Sequence, residues 1–184
     1  MNLTDATLLI LVLAFLALGF FQGTIKLLVA ILSFYVSLIL AGFYFQILGR
    51  FFQQRFGTTF DVAQIVAFTL VLLVGFILLT LSGLYTFRYA KVPPALDFID
   101  RVVGTVFGLV MGGLVIGMIA KILILLLVDR DPASTIDFPI MQSIQNGVRS
   151  STLIPFFNNN VLPLIISLVQ SFLPQSASII FGGR

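Results

Sequence analysis

Phe98-Ile-Asp-Arg-Val-Val-Gly-Thr-Val-Phe-Gly-Leu-Val-Met-Gly-Gly-Leu-Val-Ile-Gly-Met-Ile-Ala-Lys121, followed by an apolar run to Val128, decides the fold. Between Val102 and Val128 the only charged residue is Lys121. About 27 helical residues rise roughly 40 Å, enough to cross a hydrocarbon core with some tilt. The stretch reads as a transmembrane helix over about 99–128.

Its glycines are ordered. At about 100° per residue, Gly104, Gly108 and Gly112 follow one face, which Asp100, Arg101 and Met111 share. Gly113, Gly117 and Ala120 fall on the opposite side. In lipid, dispersion must replace the hydrophobic drive between helices, and small residues four apart let two backbones approach closely. This helix is therefore expected to take one neighbour on its first half and another on its second. Glycine is common in membrane helices, but three in register with an opposite pair point to packing. Asp100 near the helix start complements the dipole, and Arg101 can snorkel to head groups.

Composition sets the class. Of 184 residues, 59% are hydrophobic and 9% charged, with a mean hydropathy of +1.16. A soluble domain carries about 25% charged residues, so this chain is an integral membrane protein. It has no cysteine, histidine or glutamate. That removes thiolate chemistry, the commonest metal ligand and the usual general base. The net charge of +3 comes from basic residues scattered beside apolar spans, which suits head groups and topology rather than nucleic acid.

Working outward, the chain predicts an all-α, polytopic bundle of four transmembrane helices with a short C-terminal amphipathic helix. The helices are expected at about 4–21, 24–48, 62–87 and 99–128, in a membrane domain of 1–131. The first lacks a basic n-region and a cleavage site, so it reads as a retained helix. Without a break, Thr7 to Leu48 would form one helix of about 60 Å, twice the bilayer core. The interval with Gly19, Gln22, Gly23 and Lys26 is the place for a turn. On the second helix Ala30, Ser33, Ser37 and Ala41, extended by Lys26 and Tyr44, form a small-residue stripe suited to helix contact. Gly49 to Asp61 reads as a loop. The third helix carries Gly75, Ser82 and Thr86 on its polar side, and Tyr85, Arg88, Tyr89 and Lys91 as an interface anchor. Asp129-Arg130-Asp131-Pro132 stops the fourth.

The tail, 132–184, differs in kind. The segment from about 160 to 173 is too short to span, and Asn160, Ser167, Gln170 and Ser171 share one side. It reads as a helix at the interface or packed on the bundle end. Basic residues number four (Lys26, Arg88, Lys91, Arg101) on one side of the membrane and three (Arg50, Arg55, Arg130) on the other. That asymmetry places both termini outside the cytoplasm. Lys26 and Asp100 then open their helices at one face, where pairing would be worth about 1 kcal/mol.

These features resemble the colicin V production protein (CvpA) family. Asp5, an apolar helix and the turn with Gly19, Phe20 and Gly23 look like that family's opening. Asp100, Arg101, Gly104, Gly108 and Gly112 are similar to its fourth-helix motif, and Ser151-Thr152-Leu153-Ile154-Pro155 to its Ser-x-Leu-x-Pro element. The sequence departs at Gln22, where the family often has a basic residue, and at Met111, where it often has arginine. The resemblance implies a four-helix protein of the bacterial inner membrane, linked to colicin V production or export and to envelope homeostasis. Some relatives carry an extracytoplasmic serine protease after the last helix, for which this tail has no room.

Three functions are open to such a chain. Glycine faces beyond the needs of one neighbour, with an amphipathic tail, favour a non-enzymatic scaffold or accessory subunit. Its partners are the bilayer and other membrane proteins or further copies of itself. The plainer alternative is that a monomeric bundle uses both glycine faces internally. An oligomeric channel or transporter for small solutes is motivated by Lys121, since an ionisable residue within a span is a functional candidate. Lys121 also lies about seven residues from the helix end, near enough to snorkel. Catalysis is disfavoured: Asp61, Asp129, Asp131 and Asp137 form no visible nucleophile–base pair or ligand cluster, so no cofactor or metal is expected.

Overall fold

The computed structural model describes residues 3–57, 59–89, 93–127, 146–148 and 150–169. Lys91, the Asp129–Pro132 stop, Asp137, Gln170 and Ser171 lie outside them. Among the described residues there is no strand. Helix α1 covers Leu3–Phe56, α2 Phe60–Thr86 and α3 Asp97–Leu127. All three are long and apolar enough to cross a membrane. A one-turn 3-10 segment, Pro94–Leu96, leads into α3. In the tail, α4 (Leu153–Phe156) passes through a π turn (Phe157–Val161) into α5 (Leu162–Val169).

α1 is not one rod. Gly23 stands at φ 76°, ψ 175°, a region essentially restricted to glycine. The limb before it, 3–22, meets α3 antiparallel: Gly19 lies on Gly104 and Gly108, and Phe15 on Gly108 and Gly112. The limb after it, 24–56, starts beside Asp100 and pairs antiparallel with α2, with Val29 at Gly83, Ser37 at Gly75 and Gly49 at Gln64. Leu27, Phe34, Leu38 and Phe45 of this limb share one core with Phe68 and Leu72 of α2 and Met111 and Met118 of α3. The second limb is thus the central element, between α2 and α3.

Two boundaries differ from the sequence reading. Helix continues through Gly49 to Phe56, where a loop was expected. Gly49 is tolerated in helical geometry because Gln64 packs where its side chain would be. The helix ends instead at Gly57, whose φ of 64° and N–H bond to the Gln53 carbonyl (3.0 Å) form a left-handed cap. The tail helix begins at Leu153 rather than near 160. Pro163 has no N–H and crowds the carbonyl one turn before it, which accounts for the π turn over 157–161. The Asn160 amide donates to the Phe156 carbonyl there (2.9 Å).

Candidate functional site at the glycine hinge and the tail lock

At the hinge, α3 delivers Asp100 onto the first residues after Gly23. The Thr24 backbone N–H donates to Asp100 Oδ1 at 3.0 Å, and the Thr24 hydroxyl donates to the Asp100 carbonyl at 3.0 Å. A carboxylate at the start of the second limb satisfies a donor that has no helical partner and faces the positive dipole end. A Cβ at Gly23 would collide with this carboxylate, and one at Gly104 would sit 2.5 Å from the Gly19 carbonyl oxygen. Gly19, Gly23, Gly104, Gly108 and Asp100 therefore form one junction.

The expected Lys26–Asp100 pair is not formed; among the described residues Asp100 has no ion pair, and Lys26 is exposed. The Thr24 backbone N–H takes the carboxylate instead. Arg101 pairs with Asp97 (2.9 Å) and lies over the Phe20 ring, 5.7 Å from its centroid. Arg88 sits over Tyr85 and Tyr89, 4.6 and 4.4 Å from the ring centres, at the same end of the bundle.

The second glycine face of α3 is also filled. Gly117 lies against Val161 and Ile165 of the tail, and Gly113 faces Val161 at 4.0 Å. Lys121, one turn beyond Gly117, is buried at 7% exposure rather than reaching freely outward. The tail that covers Gly117 extends over this end of α3. Both glycine faces are thus occupied within one chain, which removes the surplus of packing faces inferred from sequence.

At the far end from the hinge lies a contact the sequence reading did not pair. Asp5, 2% exposed, accepts hydrogen bonds from the Ser151 hydroxyl (2.6 Å) and from the backbone N–H groups of Thr152 (3.2 Å) and Leu153 (3.2 Å). The Ser151 hydroxyl in turn accepts from the Ile154 N–H at 3.1 Å. The carboxylate of the first limb therefore caps the tail helix. Both partners stood in motifs marked by the family resemblance, and their joint presence was the available signal.

Hydroxyls within the spans turn back on their own helices: Ser37 donates to the Ser33 carbonyl (2.6 Å), Thr69 to Ile65 (2.8 Å) and Thr105 to Arg101 (2.8 Å). Gln64 is buried, and its side-chain amide has no hydrogen-bond partner among the described residues. No group of three acidic, cysteine or histidine side chains converges among them either. Met111 is buried in the core, whereas Gln22 is exposed beside the hinge.

Long apolar helices wound about close glycine contacts define a polytopic, all-α membrane protein. The family model for the colicin V production protein matches residues 4–162, and the chain belongs to that family. No curated protein and no solved structure matches it significantly.

Proposed function

We propose that this chain is a four-span protein of the bacterial inner membrane, acting as a non-enzymatic scaffold or accessory subunit for other membrane proteins. The fourth crossing comes from counting the two limbs of α1 separately, since they run in opposite senses from Gly23. One observation carries the role: the outward faces of α2 and α3 are apolar, while the Ser37, Thr69 and Thr105 hydroxyls are consumed on their own backbones and only Thr80 among the described residues leaves a buried hydroxyl unpartnered. Such a body offers little reaction chemistry, so its action falls on what touches it in the membrane. With both glycine faces filled, partners are assigned to those outward faces and to the exposed side of the tail, where Phe156 and Leu164 stand clear.

Extraction from native membranes in mild detergent, with crosslinking from positions on α2 and the tail, tests this reading. Mass analysis is expected to recover other membrane proteins in defined stoichiometry. Recovery of the chain only as a monomer rejects the scaffold.

An oligomeric channel or transporter is the second reading, favoured by the burial of Lys121 and by the unpartnered amide of Gln64. It requires several copies, because a four-helix body alone is thin for a transporter. Unchanged solute flux in proteoliposomes after Lys121→Met would count against it.

A further inference from the structure

Beside the hinge, a cavity of about 420 Å³ opens between the start of the second limb and the end of α2. Its polar lining is Gln22, Lys26 and Arg88, and its apolar wall is Ile25, Val29, Leu84 and Phe87. The two kinds of residue are segregated. Lys26 and Arg88 lie at the helix ends, while Val29 and Leu84 lie about one turn deeper, where Val29 closes on Gly83.

The charges are uncompensated. Among the described acids at this end, Asp97 is taken by Arg101, and Asp100 is engaged by the Thr24 N–H. Lys26 and Arg88 have no ion pair among the described residues. Arg88 is also held in place, between the rings of Tyr85 and Tyr89 and donating to the Tyr89 hydroxyl. A guanidinium held by two rings and an exposed ammonium over an apolar slot suit an anion that carries hydrocarbon.

We propose that this cleft binds the phosphodiester head group of an anionic membrane phospholipid. Lys26 and Arg88 hold the phosphate, and the first acyl methylenes lie along Ile25, Val29 and Leu84. A free inorganic phosphate would use the cations but leave the apolar wall unfilled. The assignment rests on the chain spanning a bilayer and is independent of any protein partner.

The test reconstitutes the full chain in vesicles and measures its association with spin-labelled phosphatidylglycerol against phosphatidylcholine. Wild type is expected to favour phosphatidylglycerol about tenfold. The double variant Lys26→Gln with Arg88→Gln is expected to lower the ratio to near one. Arg50→Gln with Arg55→Gln, which removes the same charge from the far end of the second limb, is expected to preserve it. If Arg88→Gln fails to fold for loss of ring stacking, Lys26→Glu alone is expected to suppress the preference. Ile25→Trp fills the slot without changing charge and is expected to abolish the preference as well.

Equal loss in the hinge-end and far-end variants overturns the site in favour of general surface attraction. An unaltered ratio in Ile25→Trp, or full displacement of the lipid by inorganic phosphate, overturns the lipid assignment in favour of a soluble phosphate. A wild-type ratio near one overturns the proposal outright.

Discussion

Two aspartates hold opposite ends of this bundle by one kind of chemistry: each presents a carboxylate to the unpaired N–H groups of a neighbouring helix start. The costs of losing them differ because their exposures differ. Asp100 is half-buried and takes one backbone N–H, so Asp100→Ala is expected to cost about 1–2 kcal/mol, read as earlier thermal unfolding in detergent. Asp5 is buried and accepts from a hydroxyl and two backbone N–H groups, so Asp5→Ala strands several donors and is expected to cost about 3 kcal/mol. The loss should be local. Hydrogen exchange over 150–169 should rise in Asp5→Ala while exchange in α2 stays near wild type. Uniform loss of protection would show that the tail and the bundle open as one unit.

At the scale of elements, glycines that look alike in sequence fall into ranks. Gly108 lies on the backbone of Phe15 and Gly19, with a Gly19 Cα 3.0 Å from where its Cβ would stand, whereas Gly113 has its nearest neighbour at 4.0 Å. Gly108→Ala is therefore expected to push the first limb off α3 and lower the melting temperature. Gly113→Ala should be neutral or stabilising, since alanine is the better helix former by about 1 kcal/mol. Equal melting of the two variants would refute the close approach. The two positive-φ glycines divide in the same way. At Gly57 nothing lies within 4 Å, so alanine there meets only backbone strain, about 1 kcal/mol. At Gly23 the strain, about 1–3 kcal/mol, is joined by collision with Asp100, so Gly23→Ala should be the more damaging change by thermal unfolding.

The two packing faces of α3 were legible because helical period alone sorts Gly104, Gly108 and Gly112 from Gly113 and Gly117. What occupies the second face was not, because Val161 and Ile165 come from a segment too short to read as part of the bundle. The interval from Gly19 to Lys26 was legible as a break for the same reason of length. That Gly23 alone makes the break, with Gly19 still in helix and packed on α3, depends on the Asp100 carboxylate, 76 positions from the Thr24 N–H that it accepts. The Lys26–Asp100 pair was not excluded by sequence because the competing donor, the Thr24 backbone N–H, is a main-chain group that residue identity does not reveal.

For the molecule as a whole, the tail lock and the hinge mark the two ends of the bundle. Asp5 and Ser151 touch, so the start of the first limb and the tail lie at one end, and the hinge lies at the other. On the proposed four-span reading, whichever side receives the hinge, the start of the first limb and the described tail face the opposite side. The hinge end carries Lys26, Arg88 and Arg101, and Lys91 lies in the same connection, four in all; the opposite side carries Arg50 and Arg55, and Arg130 follows α3 in sequence, three in all. A four-against-three excess of lysine and arginine is the ground for expecting the hinge on the cytoplasmic side. The buried Lys121 adds nothing to either side's exposed charge. The chain has no native cysteine, so single replacements report without background. Asn159→Cys, on the exposed side of the tail, is expected to react with a membrane-impermeant maleimide in spheroplasts. Tyr89→Cys, beside the cleft, is expected to react only after the membrane is opened. The reverse pattern would keep the fold and invert its placement. Labelling of both positions in closed spheroplasts would break the four-span count itself, because residues 89 and 159 could not then lie on opposite faces.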